Sequence, residues 1–387
     1  AASEQLNELC ASVAPLSPLR FLQLSSAPFS RSARTRLARK WYSRGEGGPE
    51  TAPYLSARGR RPSDSGGMAS FGDDFGQKID LCVRIREILR NYPEGTSILK
   101  EILQNADDAG AHAVKFCLDK RRHGTATLAQ PSVAGLQGAA LLAYNSAMFT
   151  ERDFQSIQRI GDSLKKSTTG KNTKTGRFGV GFNSVYHLTE TPMFVSARRV
   201  VMFDPQAKFL PGIDPTNPGK SLDVERHAEV IARFEDQFAP LRAFGADLRS
   251  EFQGTLFRYP LRTAQQAAES RLSRQAHDED SMKALLVQMG REAASMLLFL
   301  KHVETVEVWE WSRDGLEPEC LYQTRIRNAT PRLRSYRSFA MDAIAMTKAE
   351  PGLGATLDGS ATSDFVFEVA SSPPGAEDAI TEKWGVC

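Results

Sequence analysis

Residues 96–110 read TSILKEILQNADDAG. Ile98, Leu99, Ile102, Leu103 and Ala106 recur at three- and four-residue steps, the period of a helix with one buried side. Thr96 is placed to cap its start after the break Asn91-Tyr92-Pro93-Glu94-Gly95, and Gly110 to close it. Glu101, Asn105 and Asp108 fall at i, i+4 and i+7, which stacks them in a column about 10 Å long on one face of the same helix. A solvated helix face shows polar residues at such steps too. Two carboxylates and a carboxamide in a column also suit chemistry: one group takes a proton from water, one gives oxygen to a magnesium ion, one shapes a pocket. On this helix alone both readings stand.

The pattern on either side of it mixes helices with strands. Upstream, Cys82, Ile85, Ile88, Leu89 and Tyr92 give a helix over 79–92. Downstream, Val114, Phe116 and Leu118 alternate as a strand, and the short apolar run 139–144 reads as a buried one. Phe154, Ile157 and Ile160 mark a short helix, and 193–197, 200–203 and 255–259 are further strands. After Pro260 the character changes. Met282, Leu285, Leu286, Met289, Met296, Leu297 and Leu300 line a helix of about twenty residues, with strand-like runs at 306–311 and 321–326. The Ala-, Gln- and Arg-rich stretch at 262–278 marks a boundary, placed at 262/263. Residues 263–387 then form a smaller α/β segment of a second domain, and the chain reads as part of something longer.

A second motif, residues 175–184, reads TGRFGVGFNS. Its GxxGxG glycines let the backbone turn several N–H groups toward one anion. A helix is expected directly after, over 182–188, adding its N-terminal dipole. Neither the Rossmann GxGxxG nor a Walker A loop fits the spacing. A glycine turn by itself is as well explained by structure alone.

The two motifs in this order, with the polar stretch 161–177 before the glycines, resemble the GHKL ATPases: gyrase, the ninety-kilodalton heat-shock chaperone, histidine kinases and MutL. A closer resemblance, carried by GQKIDLCVRIREILRNYPEGTSILKEILQNADDAGA, LLAYNSAMFTERDFQSIQRIG and TGRFGVGFNSVYHLTETPMFVS, is to the opening domain of the sacsin and Nov-type repeating region. It covers residues 72–262 strongly and continues weakly to about 312. It implies an α+β fold of the Bergerat type, a two-layer sandwich whose mixed, mainly antiparallel sheet carries helices on one face. It also implies Mg-ATP bound between helices, slow hydrolysis, and a chaperone role with protein clients or co-chaperones in a larger, intracellular, cytoplasmic chain; nucleus or organelle and an oligomeric state stay open. Carried over by position, Glu101 is the general base, Asn105 the magnesium ligand and Asp108 a carboxylate lining the pocket. Gly176, Gly179 and Gly181 form the phosphate loop, with Phe178, Val180 and Phe182 as backbone donors. Residues 162–175, with Lys165, Lys166, Lys171 and Lys174, match the lid, and Thr255, after Gly254, matches the adenine-side hydroxyl. The family's adenine-reading Asp in DxGxG is missing; Asn145 stands in its place. A module that binds nucleotide without hydrolysing it, and a nucleic-acid-acting relative, are the alternatives.

Charge bears on the second of these. Residues 1–67 hold ten Lys or Arg against five Asp or Glu, and residues 68–387 hold 39 against 41. A net charge of −2 over residues 68–387 counts against it, since phosphate binding needs a basic surface. The Arg- and Ser-rich front reads as disordered, either a transit peptide or an untidy tail, with Met68 as another starting point. The five cysteines, Cys10, Cys82, Cys117, Cys320 and Cys387, have no paired spacing, so reduced thiols are expected. No apolar run approaches the length of a membrane span. His112 and His187 read as surface charges, Arg258 and Arg262 as exposed arginines or phosphate contacts, and Met282, Met289 and Met296 as core.

Overall fold

Val114, Phe116 and Leu118 face one side of their strand and Cys117 the other, and all four are buried. That alternation, repeated along neighbouring strands, gives a single sheet two cores. The computed structural model describes residues 80–158, 181–214, 216–349, 365–374 and 379–386, all within one unit running from Phe75 to Cys387.

Among the described residues ten strands form one sheet. They are β1 (Ala113–Asp119), β2 (Ala140–Asn145), β3 (Met193–Ala197), β4 (Arg199–Phe203), β5 (Gly219–Asp223), β6 (Phe252–Pro260), β7 (Thr305–Trp311), β8 (Glu319–Ile326), β9 (Phe365–Ser372) and β10 (Ile380–Val386). Their order is β10-β9-β8-β7-β1-β2-β6-β3-β4-β5. Every pairing is antiparallel except β1 with β7, which run parallel. The α+β class and the mixed, mainly antiparallel sheet are as expected from the sequence.

The helices are α1 (Leu81–Asn91), α2 (Thr96–Asp108), α3 (Glu151–Ile157), α4 (Ala228–Arg233), α5 (Glu235–Phe238), α6 (Ala264–Glu269), α7 (Glu279–Leu297) and α8 (Pro331–Ala349). On the first face of the sheet, Ile98, Leu99, Ile102 and Leu103 of α2 share a core with Met282, Leu286, Met289 and Leu297 of α7. The methionine stripe is therefore packing: Met282 and Met289 are fully buried and Met296 lies at the edge of the same core. The opposite face is covered as well. Ile231 of α4, Phe238 of α5 and Leu241, Ala243 and Leu248 after them lie over Leu142, Met193, Val195 and Leu256.

Three expectations change. The start of α2 is capped by Gly95, at φ +96° and with no side-chain bond, so Thr96 is the first helical residue rather than the cap. The turn demands a positive φ there, which glycine supplies without strain. The helix expected after the glycine motif is a 3-10 helix, Gly181–His187. The division at 262/263 does not divide the sheet: β7 joins β1 across it, and α7 packs on β1, β7 and β8. Composition changes at 262, but the edge of β1 is completed only by a strand from beyond that point. Strand β5, GKSLD, was not foreseen, because an edge strand carries polar residues without alternation.

Candidate functional site

The face of α2 that carries Glu101 meets the first residue of the 3-10 helix Gly181–His187. A Cβ built on Gly181 would fall inside the Glu101 carboxylate. Only a glycine lets the two backbones approach with this glutamate between them. The half-buried Glu101 also acts on Tyr92 at the end of α1: burial pushes the Tyr92 phenol up, and the Glu101 charge adds to it. Asn105 and Asp108 follow Glu101 along the same helix, both half-buried. Neither Glu101 nor Asp108 is without a partner.

From Gly181 the first face continues through aromatic contacts to the far strands. Phe182 is half-buried; its ring lies 5.8 Å from that of Phe203 and 6.1 Å from that of Phe257. Two residues before Phe257 on β6, and on the same face, is Thr255. It is fully buried, and its hydroxyl donates to the Ala147 carbonyl at 2.7 Å. Thr255 pairs in register with Asn145 at the end of β2. Glu101, Gly181, Phe182, Thr255 and Asn145 thus lie on one face of the sheet, from four separate stretches of chain. Gly176, Phe178, Gly179 and Val180, and the whole 162–175 stretch, lie outside the described residues.

Several side chains behave differently from the sequence reading. Arg258 and Arg262 are fully buried rather than exposed. Arg258 donates to the carbonyls of Leu136 and Gly138 at 2.9 and 3.0 Å, and burial pulls it down to about 10 while the Asp119 charge acts against that. Arg262 pairs with buried Glu190 and donates to the carbonyls of Tyr186, His187 and Thr189. It ties β6 to the stretch that follows the glycine motif. His187 is buried rather than a surface charge, and its Nε2 donates to the Tyr92 carbonyl at 2.8 Å. His112 is exposed, as expected. Cys82, Cys117 and Cys320 are free thiols; burial pushes all three up, Cys320 to about 11, so none is a ready nucleophile. Cys10 and Cys387 lie outside the described residues. Among the described residues no cluster of three His, Cys, Asp or Glu could hold a metal, and no helix is long and apolar enough to cross a membrane.

Sequence reasoning missed Asp107, next to the column residue Asp108. It is 4% exposed, and its carboxylate accepts from the backbone N–H groups of Lys301, His302 and Val303 at 2.9, 2.7 and 2.9 Å. It anchors the loop that leads into β7. Nothing local could have shown this, since its partners come from the far end of the chain.

The family described as Sacsin domain matches residues 78–323. Human sacsin (Homo sapiens) is 39% identical over 252 residues, which is 64% of this chain and 5% of sacsin itself. The chain therefore spans a small part of the curated relative it matches. Among solved structures, the N-terminal domain of a DNA repair protein aligns at 13% identity, covering 66% of this chain and 60% of that one with a TM-score of 0.32; a superposition that loose says nothing of fold or function.

Proposed function

The chain belongs to the Sacsin domain family, and from that premise we propose that it binds Mg-ATP on the first face of the sheet and hydrolyses it slowly, as the nucleotide-driven part of a chaperone. One observation carries the reading. The acidic helix and the end of the glycine motif, far apart in sequence, meet at Glu101 and Gly181, which supports a carboxylate beside the turn that would hold the phosphates.

In this reading the glycine motif holds the phosphates through backbone N–H groups. Glu101 orients the attacking water and takes its proton. Packing against Gly181 fixes where that carboxylate sits relative to the phosphates, which is what in-line attack requires. Asp108 shapes the pocket further along the column. The donor set fits magnesium: the ion keeps several waters and uses one or two protein oxygens plus phosphates, and Asn105, whose side chain makes no hydrogen bond among the described residues, would give one such oxygen. When bound, the ion neutralises phosphate charge. The lid role of residues 162–175, the protein clients and a cytoplasmic setting belong to the same proposal and rest on the family.

Calorimetric titration of Mg-ATP and Mg-ADP, with phosphate release followed in parallel, tests it. Asn105→Ala is expected to weaken binding at least tenfold. Glu101→Ala is expected to keep binding and to lose phosphate release by about a hundredfold or more, the usual scale of a lost general base. Phosphate release that Glu101→Ala leaves untouched would remove Glu101 from the chemistry. Binding without any turnover in the parent chain would favour the non-hydrolysing alternative. The nucleic-acid reading has only the net −2 charge of residues 68–387 to speak to it, and that opposes it.

A further inference from the structure

Arg337 of α8 is 3% exposed. Its guanidinium donates to the Leu297 carbonyl at 3.0 Å and to the Val303 carbonyl at 2.7 Å, near either end of the connection from α7 to β7. Its Nε, also buried, makes no hydrogen bond among the described residues. A buried charge needs a counter-charge. Burial pulls Arg337 down, and the Asp107 and Glu304 charges act against that. Asp107 is the α2 carboxylate that accepts the N–H groups of Lys301, His302 and Val303.

The connection thus lies between two buried opposite charges, one from each helix. Val303, fully buried, gives its N–H to Asp107 and its carbonyl to Arg337. Charge-assisted bonds are stronger than neutral ones, and in a low-dielectric interior successive bonds polarise one another. A second link runs beside the first. Arg334 of α8 binds Glu304 at 2.5 and 3.0 Å, and the Glu304 N–H donates to the His112 carbonyl at 2.8 Å, just past the end of α2. Leu333 of α8 lies in the core that α2 and α7 share. A shift of either helix alone would leave a buried charge and its backbone partners unpaired.

We propose that Asp107, the 301–303 backbone and Arg337 form a relay that makes α2 and α8 move as one unit, so that α8 responds to what the polar column of α2 binds. Glu101, Asn105 and Asp108 share their helix with Asp107, so a shift of α2 carries Asp107 along. The joint motion follows from the bonds alone; what drives it rests on the nucleotide reading above. By linkage the effect runs both ways, and whatever fixes α8 favours one position of the column.

Hydrogen exchange read by mass spectrometry on the full 387-residue chain tests it, with Arg337→Gln, Arg337→Lys, Asp107→Asn and the double variant Asp107→Asn/Arg337→Gln. Arg337→Gln is expected to speed exchange about tenfold in α8 over 331–341 and in α2 over 96–108, the scale of one lost bond to a charged group. Asp107→Asn is expected to do the same in both helices. The double variant is expected to match the faster single variant rather than multiply the two, because both residues act in one network. Arg337→Lys keeps the charge but not the fork that spans two carbonyls, and is expected to fall between Arg337→Gln and the parent. Effects confined to the mutated helix, or multiplying in the double variant, overturn the relay. Saturating Mg-ATP is expected to slow exchange in α2 and α8 of the parent chain, and in α2 alone of Arg337→Gln. Protection of α2 without α8 in the parent overturns the relay and leaves the nucleotide site standing. Absence of protection anywhere at millimolar Mg-ATP overturns the nucleotide reading, and the variants then decide the relay. If Arg337→Gln does not fold, judged by circular dichroism, Arg337→Lys and Asp107→Asn decide.

Discussion

Asp119, 1% exposed at the end of β1, accepts from the Arg121 N–H at 3.1 Å, from its guanidinium at 2.8 and 2.9 Å, and meets His123 Nε2 at 3.3 Å. Burial alone would push its carboxyl up. The His123 and Arg121 hydrogen bonds and the Arg121 and Arg258 charges outweigh burial and hold it well below the usual carboxylate range. A carboxyl with a depressed folded-state pKa adds stability above its unfolded pKa of about 3.9, and that stability is lost as pH falls toward the folded value. The parent chain is therefore expected to lose melting temperature steeply between about pH 5 and pH 2. Asp119→Asn is expected to be less stable at pH 7 by about 3 kcal/mol, since it strips a counter-charge from buried Arg258, and to show a shallower acid decline. Thermal melts at several pH values check both; parallel acid limbs would show that Asp119 carries none of the pH dependence.

Among elements, the contact that decides the architecture is the one between α2 and the approach to β7. Helix α2 buries its apolar side against α7, which any amphipathic pair would do. Asp107 adds specificity by binding three consecutive backbone N–H groups at 301–303. Removing it leaves those donors without a carboxylate in a buried place, where each costs about 1–3 kcal/mol. Asp107→Ala is expected to lose about 2–4 kcal/mol in urea unfolding, while Asp108→Ala, half-buried on the column, loses less than about 1 kcal/mol. Equal losses for the two would mean that the staple is not what holds α2 to β7. At the close approach of α7 to β8, a Cβ on Gly290 would meet the Tyr322 ring at 2.6 Å; the helix tolerates a glycine in its interior because the strand beneath it needs the room.

For the whole molecule, the parallel pairing of β1 with β7 joins β7, β8, β9 and β10, all beyond residue 262, to the sheet that carries the candidate site. Without the residues beyond 262 β1 has a bare edge, and Val114, Phe116 and Leu118 lose the cover of α7. An unpaired strand with an uncovered apolar face is a route to aggregation. A fragment ending at Arg262 is expected to run as aggregate on size exclusion and to bind a hydrophobic dye, unlike residues 68–387. A monodisperse, cooperatively melting 68–262 fragment would restore the boundary that composition suggests.

The column Glu101, Asn105 and Asp108, its apolar neighbours and the strands of the central sheet were legible because their signals are local: helix period 3.6, strand period 2, glycines where the backbone turns. The α+β class follows from those patterns; the family was legible only through the resemblance of the quoted segments. Tertiary structure alone decided what comes from far away in the chain. It buried Arg258, Arg262 and His187, which single-residue reasoning leaves on the surface, because backbone carbonyls from other elements accept their N–H groups. It gave Asp107 its three donors and turned Asn145's only side-chain oxygen back onto its own chain. It also merged two segments of different composition into one sheet, since hydrogen bonding between strands depends on which edge is open and not on residue content.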